Sequence, residues 1–376
     1  MRDHEEDGAV RIAIITNSYP PRMGGLELHI ENLAHGLHAL GHQVQVLTIA
    51  PDPGVREDGG VRVLTGRSHL PIADVISVPS PGATRAITGL LRREGVDLVS
   101  THTRFFPMSL IGLRAARAAG VPVIHTEHGS GFVASPSPVI ALGSRAVDLT
   151  MGRYVLRHAD RVLGVSPQAA AFARRLGAPH AEVFYNAIAP VTLASPPADR
   201  PRHLVFVGRM VPGKGWDTFL ETVALLRSQG LDVDGEVLGD GADLAQARSR
   251  ASELGLSGIV AVRGRVSQEA VQASLTGSTL VNPTVLSEGF QTTLLEAIAA
   301  QGRVVTFEVP GARLLREQGA PVVVCEERSA SGLARSLTTV LTTPPPAASQ
   351  DLITRWTWPV RAHEYAAIAE QVVRSR

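Results

Sequence analysis

The stretch VFVGRMVPGKGW occupies residues 205–216. Gly208, four further residues, Gly213 and Lys214 match the G-x-x-x-x-G-K of a nucleoside-triphosphate loop, but Gly215 stands where that loop needs Ser or Thr. The missing hydroxyl is the group that holds Mg²⁺ on the triphosphate. No convincing apolar strand ending in Asp follows either, so the stretch is not read as a triphosphate loop. What remains is a strand closing at Gly208, a turn carrying Arg209, Pro212, Gly213 and Lys214, and a helix opening near Trp216. Two cations at the carboxyl edge of a sheet suit a diphosphate. The plainer alternative is a surface turn with solvated charges. Lys214 is the single lysine of the chain; every other strongly basic side chain is arginine.

A chain of 376 residues with 44% hydrophobic content suits two domains, each with its own core. The net charge of +1 leaves no electrostatic footprint of a nucleic-acid binder. A lone Cys325 excludes an intramolecular disulfide and suits a reducing compartment; in APVVVCEE it reads as a small buried residue. No apolar run approaches the roughly 20 residues of a spanning helix. The acidic, polar start MRDHEEDGAVR is unlike a signal peptide. A cytoplasmic protein is expected.

Outward from the opening stretch, short β-rich runs alternate with amphipathic ones. The runs are 10–16, 43–49, 96–101, 121–126, 161–166 and 181–186, then 203–208, 233–239, 258–264, 278–283, 303–309 and 321–325. Ile30, Leu33, Ala34 and Leu37 share one helical face. Such alternation implies parallel sheets covered on both sides. AIAPVTLASPPADRPR (187–202) and TTPPPAASQ (342–350) break the pattern and read as connections, ahead of a last helical stretch at 358–373. In doubly wound sheets, ligands sit beyond the carboxyl ends of the strands, so two such domains with facing edges would enclose a cleft.

Three more constellations carry chemistry. In SEGFQTTLLEAIAA (287–300), Glu288 and Glu296 lie eight positions apart, about two helical turns. A helix beginning near Phe290 turns both toward one ligand and offers the amides of Phe290, Gln291 and Thr292 to an anion. In NSYPPRMGGLELH (17–29), Gly24 and Gly25 allow a close backbone approach, although this is not the G-x-G-x-x-G of dinucleotide folds. His128, following VPVIHTE, stands at a strand end, which lifts it above the other twelve histidines; His102 in STHTRF is next. The triplet Asp232-Val233-Asp234 reads as a loop entering a strand. FFPMSLIGLRAARAAG (105–120) reads as a packed core helix, with a lipid contact as the alternative.

With these pieces assembled, the chain resembles the group-one retaining glycosyltransferases of family four. The resemblance rests on YPPRMGGLE, GHQVQVLT, PVIHTEHGS, VLGVS, VFVGRMVPGKGWDTFL, VLGDG, EGFQTTLLEA and WTWPVRAHEY, in family order over nearly the whole chain. It implies an α/β, GT-B fold: two doubly wound Rossmann-like domains with parallel sheets facing an interdomain cleft. Residues 1–187, completed by a helix at about 356–376, form the acceptor domain, and 188–355 the nucleotide-sugar donor domain. Arg209 and Lys214 are implied to hold the donor diphosphate, Glu296 the ribose hydroxyls, and Glu288 the transferred sugar. Phe290, Gln291 and Thr292 line sugar and phosphate. Gly24 and Gly25 approach the diphosphate, and His128 lies near the sugar. The turn Arg263–Arg265–Val266 meets the nucleobase, largely through backbone. Gln291 departs from a usual glycine, which bears on the donor sugar rather than on the reaction class.

The resemblance further implies retention at the anomeric carbon with no metal and no cofactor. The partners are then a nucleotide sugar and a glycan, lipid or small-molecule acceptor, with no nucleic acid. Peripheral contact with the inner membrane face and the oligomeric state stay open. Two other functions compete. One is another GT-B activity, an epimerase or a phosphorylase, although a phosphorylase needs a second lysine for pyridoxal phosphate. The other is a non-catalytic sugar-nucleotide or glycan-binding protein, against which the joint presence of Arg209, Lys214, Glu288 and Glu296 argues.

Overall fold

Ile12 and Ile14 pack into one apolar cluster while Ala13 and Ile15, alternating with them, pack into another. A strand whose two faces are both buried is the mark of a sheet covered on both sides. The computed structural model describes residues 9–22, 24–72, 76–132, 137–191 and 198–376. Met23 of the glycine turn, most of the acidic N-terminal segment and residues 192–197 of the first connection lie outside these. The described chain divides into two compact units, Met1–Ala189 with Trp358–Arg376, and Pro190–Thr357.

In the first unit, nine strands follow one another: β1 (Arg11–Ile15), β2 (Gln43–Ala50), β3 (Gly54–Asp58), β4 (Val61–Ile72), β5 (Ile76–Pro79), β6 (Leu98–His102), β7 (Val123–Glu127), β8 (Arg161–Gly164) and β9 (Glu182–Val183). They join in the order β3-β4-β2-β1-β6-β7-β8-β9, with β5 on β4. Pairing is parallel except where β4 meets β3 and β5. Strands β3 to β5 were not anticipated from sequence. β3 is exposed along almost its whole length, so it carries no apolar alternation. The Asp58-Gly59-Gly60 turn that joins it to β4 uses positive φ at both glycines.

The helix Gly25–Ala39 buries Ile30, Leu33, Ala34 and Leu37, the face read from their spacing. The C-terminal helix Trp358–Arg374 adds Tyr365, Ala366 and Ala369 to the same cluster. The two helices approach closely at Gly36, where an added Cβ would lie 2.7 Å from Cβ of Ala362. The helix Pro107–Ala119 buries Met108, Leu113, Ala115 and Ala116, so its apolar content is core. Among the described residues, no helix is long and apolar enough to cross a membrane.

The second unit is a six-stranded parallel sheet: β10 (His203–Val207), β11 (Asp234–Leu238), β12 (Val260–Gly264), β13 (Thr279–Asn282), β14 (Arg303–Phe307) and β15 (Val322–Cys325), in the order β12-β11-β10-β13-β14-β15. This is the order of a doubly wound nucleotide-binding sheet, with its topological switch between β10 and β13. Leu204 and Phe206 of β10, with Phe219, Leu220 and Val223 of the helix Trp216–Ser228, stand in its core. Cys325 is buried, its thiol donating to the Glu327 carbonyl. Asp234 opens β11 and Asp232 precedes it; they pair with His203 and Arg227 respectively.

Candidate functional site

The switch point of the second unit puts the loops after β10 and β13 side by side. Gly213 (φ +82°) and Gly215 (φ +93°) both occupy backbone conformations that side chains resist. A Cβ on Gly215 would stand 2.4 Å from the carbonyl oxygen of Pro283. The hydroxyl residue of a triphosphate loop is therefore excluded here by backbone and packing alike. The Val285 amide and the Thr284 hydroxyl both donate to the Gly213 carbonyl, at 2.9 and 3.2 Å. This stitching delivers Lys214 to Glu288, Nζ to Oε1 at 2.7 Å, with only 14% and 22% of the two side chains exposed. Arg209 is exposed, and its guanidinium pairs with no described residue.

The helix after this loop spans Thr292–Ala299, with Gln291 in extended backbone as its cap. The expected start near Phe290 is corrected by two residues. Phe290 is buried, stacked on Trp356 at 5.6 Å and abutting Gly311, and that anchor holds it out of the first turn. A helix that begins at Thr292 leaves the amides of Thr292 and Thr293 without intrahelical acceptors. Gln291 Oε1 accepts from Asn282 Nδ2 at 2.6 Å, and that amide also donates to Thr306 Oγ1 at 2.9 Å. The Gln291 carboxamide is therefore tethered to the ends of β13 and β14. Glu296 accepts from Gln268 Nε2 at 3.3 Å. Burial raises its carboxyl above the usual range, against the pull of that hydrogen bond.

Arg263 stands within β12 and pairs with Glu236 of β11, whereas Arg265 and Val266 lie past the strand end. Arg265 faces Asp240 at 3.7 Å and is largely exposed. Gln268 and Asn282 were not singled out from sequence. Single polar residues at strand and helix ends carry no spacing signal of their own.

In the first unit, Gly24 caps the helix Gly25–Ala39. A side chain there would meet Glu27, whose Oε1 accepts from Ser18 Oγ at 2.6 Å, while Gly25 opens onto free space. His128 follows β7. The preceding Glu127 is fully buried and accepts from Arg104 Nη1 and from the Gly129 amide, each at 2.7 Å. Arg104 Nη2 donates to Asp148 Oδ2 at 2.9 Å. Burial alone would raise the Glu127 carboxyl, but Arg104, His125 and the Gly129 amide carry it below its usual range.

The sequence offers no metal-ligand spacing, yet the fold gathers three imidazoles. Ring nitrogens of His29, His102 and His128 lie within 4.8 Å of one another. His29 Nδ1 lies 2.7 Å from Asn186 Oδ1, and its buried Nε2 has no hydrogen-bond partner. Burial lowers the pKa of all three, that of His29 to about 4. The folded state therefore holds them neutral. The unfolded chain takes up protons first, as pH falls through 6.5, the ordinary value. Stability is expected to be full above pH 6.5 and to fall continuously toward pH 4, His29 alone contributing on the order of 3 kcal/mol to the loss. Denaturant titrations at pH 7.5, 6 and 5 check this, with His29→Gln flattening the slope. An unchanged slope in that variant would remove His29 from the account.

Comparison with known proteins bears on this geometry. Residues 23–191 match the model of Glycosyltransferase Family 4, and residues 201–343 that of Glycosyl transferases group 1. The GPI3 subunit of phosphatidylinositol N-acetylglucosaminyltransferase from Saccharomyces cerevisiae is 27% identical over 320 residues, 80% of this chain and 68% of that one. The 2-deoxystreptamine glucosyltransferase of Streptomyces kanamyceticus is 26% identical over 350 residues, 85% of this chain and 90% of that one. Among solved structures, sucrose-phosphate synthase from Thermosynechococcus elongatus aligns with a TM-score of 0.73 at 20% identity, covering 98% of this chain and 100% of that one. Anabaena Alr3699/HepE, in complex with UDP and glucose, aligns at 0.72 and 15% identity, over 96% and 100%.

Two Rossmann-like units under these paired models define a GT-B glycosyltransferase that acts on nucleotide sugars. The chain belongs to the group-one glycosyltransferases of family four.

Proposed function

We propose that the chain transfers a hexosyl-type sugar from a nucleotide-diphosphate sugar to an acceptor hydroxyl, with retention and without a metal ion. The observation that carries this reading is the Lys214–Glu288 pair at the switch point of the second unit, with the exposed Arg209 in the same loop. Cleavage of the anomeric bond develops charge on the leaving diphosphate. Fixed cations and first-turn amides stabilise such charge without reorganising. Lys214 turns from Glu288 to the diphosphate when donor binds, and Arg209 and the amides of Thr292 and Thr293 complete the grip. Glu288, released from Lys214, accepts from sugar hydroxyls. Glu296, kept half-buried beside Gln268, accepts from the ribose. Glu288 is committed to hydroxyls and a cation, so no carboxylate is assigned as nucleophile, and the acceptor attacks the face the diphosphate leaves. The leaving phosphate oxygen takes the acceptor's proton.

The two relatives named above carry acceptors as different as phosphatidylinositol and 2-deoxystreptamine in their names. They support hydroxyl acceptors as a class and no single member of it. Incubation with a panel of nucleotide sugars in excess EDTA is expected to release nucleoside diphosphate, slowly without acceptor. With acceptor, the product should keep the donor's anomeric configuration by NMR. Activity lost in EDTA and restored by Mn²⁺ would show the cations misassigned, and an inverted anomer would overturn retention. Gln291→Gly is expected to reorder the donor sugars while leaving nucleoside-diphosphate affinity within about threefold, because the loss is confined to one neutral hydrogen bond. Unchanged relative rates would mean that the tethered carboxamide never reaches the sugar.

A further inference from the structure

The buried hydroxyls beneath the histidine cluster admit one proton arrangement. Tyr365 is fully buried, and its hydroxyl donates to Ser100 Oγ at 2.7 Å. Ser100 Oγ lies 3.1 Å from His102 Nε2, and His102 Nδ1 lies 3.2 Å from His128 Nε2. Among the described residues, Tyr365 and Ser100 have no other side-chain partner. Were Ser100 to donate to Tyr365, the phenolic proton would be orphaned. Were His102 Nε2 to carry a proton toward Ser100, the seryl proton would be orphaned. Buried donors are rarely left so. Every proton is used only when Tyr365 donates to Ser100, Ser100 to His102 Nε2, and His102 Nδ1–H to His128 Nε2.

We infer that Tyr365, Ser100 and His102 are positioning residues that hold His128 as the neutral Nδ1–H tautomer, so that it offers substrate a hydrogen-bond donor and cannot serve as a base. The inference rests on the reading of His128 as a substrate-contacting residue. Its ring is the partly open one of the three, and its Nδ1 bonds to no described residue. His29 packs edge-on against it at 4.6 Å and fixes the ring plane. The desolvation that disfavours the imidazolium acts on His102 and His128 alike. The arrangement also competes with a metal. A cation shared by the three rings needs a bare His102 Nδ1, whereas the chain puts a proton there.

The test is ¹⁵N NMR of the full chain labelled in histidine, with His128 and His102 assigned through His128→Gln and His102→Asn. The expected result at pH 7.5 is a protonated Nδ1 and a bare Nε2 on both rings, undisturbed by one equivalent of Zn²⁺. A His128 protonated at Nε2, an imidazolium, or zinc binding that shifts all three rings would overturn the inference, the last in favour of a metal site. Turnover gives a second arm. Asn at position 102 can donate where Nδ1–H stood, while Asp can only accept. His102→Asn is expected to keep kcat within about tenfold and His102→Asp to lose about a hundredfold or more, with donor KM little changed in both. Equal kcat in the two would overturn it, and the tautomer reading decides if the Asp variant does not fold. The expected tautomer in a protein without glycosyl transfer would sink the proposed function and leave the proton chain standing. Transfer with the opposite tautomer would do the reverse.

Discussion

Lys214→Ala is expected to lower turnover about a hundredfold or more, the loss that follows removal of one fixed donor to a developing oxyanion. Two effects combine. The leaving diphosphate loses a point charge, and Glu288 loses the ammonium 2.7 Å away that offsets its own negative charge beside the approaching phosphates. Lys214→Arg should restore only part of the rate, because a planar fork does not reproduce the position of a compact ammonium. Steady-state kinetics with a saturating acceptor measure this, and the fall should appear chiefly in kcat. A fall confined to donor KM would mean that the lysine binds ground state and transition state equally.

Arg104→Met is expected to destabilise the first unit by about 3–5 kcal/mol, the cost of breaking a buried ion pair from one side. Arg104 and its partners Glu127 and Asp148 are each 1% exposed or less. Without the guanidinium, two carboxyl groups share a buried site that has lost its cation. The stem also packs on Gly152, and the guanidinium lies 4.6 Å over the Phe172 ring, so packing is lost with charge. Replacing all three together (R104M, E127Q, D148N) should cost less than Arg104→Met alone, since no uncompensated charge then remains. Urea unfolding followed by tryptophan fluorescence reads both. A change below about 1 kcal/mol for the single variant would show that water or a rearranged loop compensates Glu127. Glu127 also holds the Gly129 amide, so the damage should reach the loop that carries His128.

What the sequence made legible follows the physics of each signal. Buried parallel strands such as β1, β10 and β15 announce themselves as short apolar runs, because both faces are packed against apolar neighbours. The exposed β3 and the hairpins around β4 carry no such constraint and went unread. The helix after Glu288 was placed two residues early, because nothing local reveals that Phe290 is held by Trp356 across 66 positions. Arg209, Lys214, Glu288 and Glu296 are picked out in the sequence by their motif stretches together with the family resemblance. Their pairings are not. Lys214 meets Glu288 across 74 positions, and His29 meets Asn186 across 157. Contacts of that separation are set by strand order, which a local pattern does not encode. Lys214 is poised on a carboxylate, in a loop whose glycines leave no room for a magnesium-binding hydroxyl.

The central claim is that Lys214 holds the donor's diphosphate, and the composition of the chain gives it a direct test. Amine acetylation can modify only Lys214 and the α-amino group, since no other lysine exists. The reaction is run with and without saturating nucleoside diphosphate and read by peptide mass spectrometry. The account predicts that the nucleotide protects Lys214 while the α-amino group stays reactive. Equal labelling of Lys214 under both conditions would contradict it and return the lysine to the status of an ordinary turn residue.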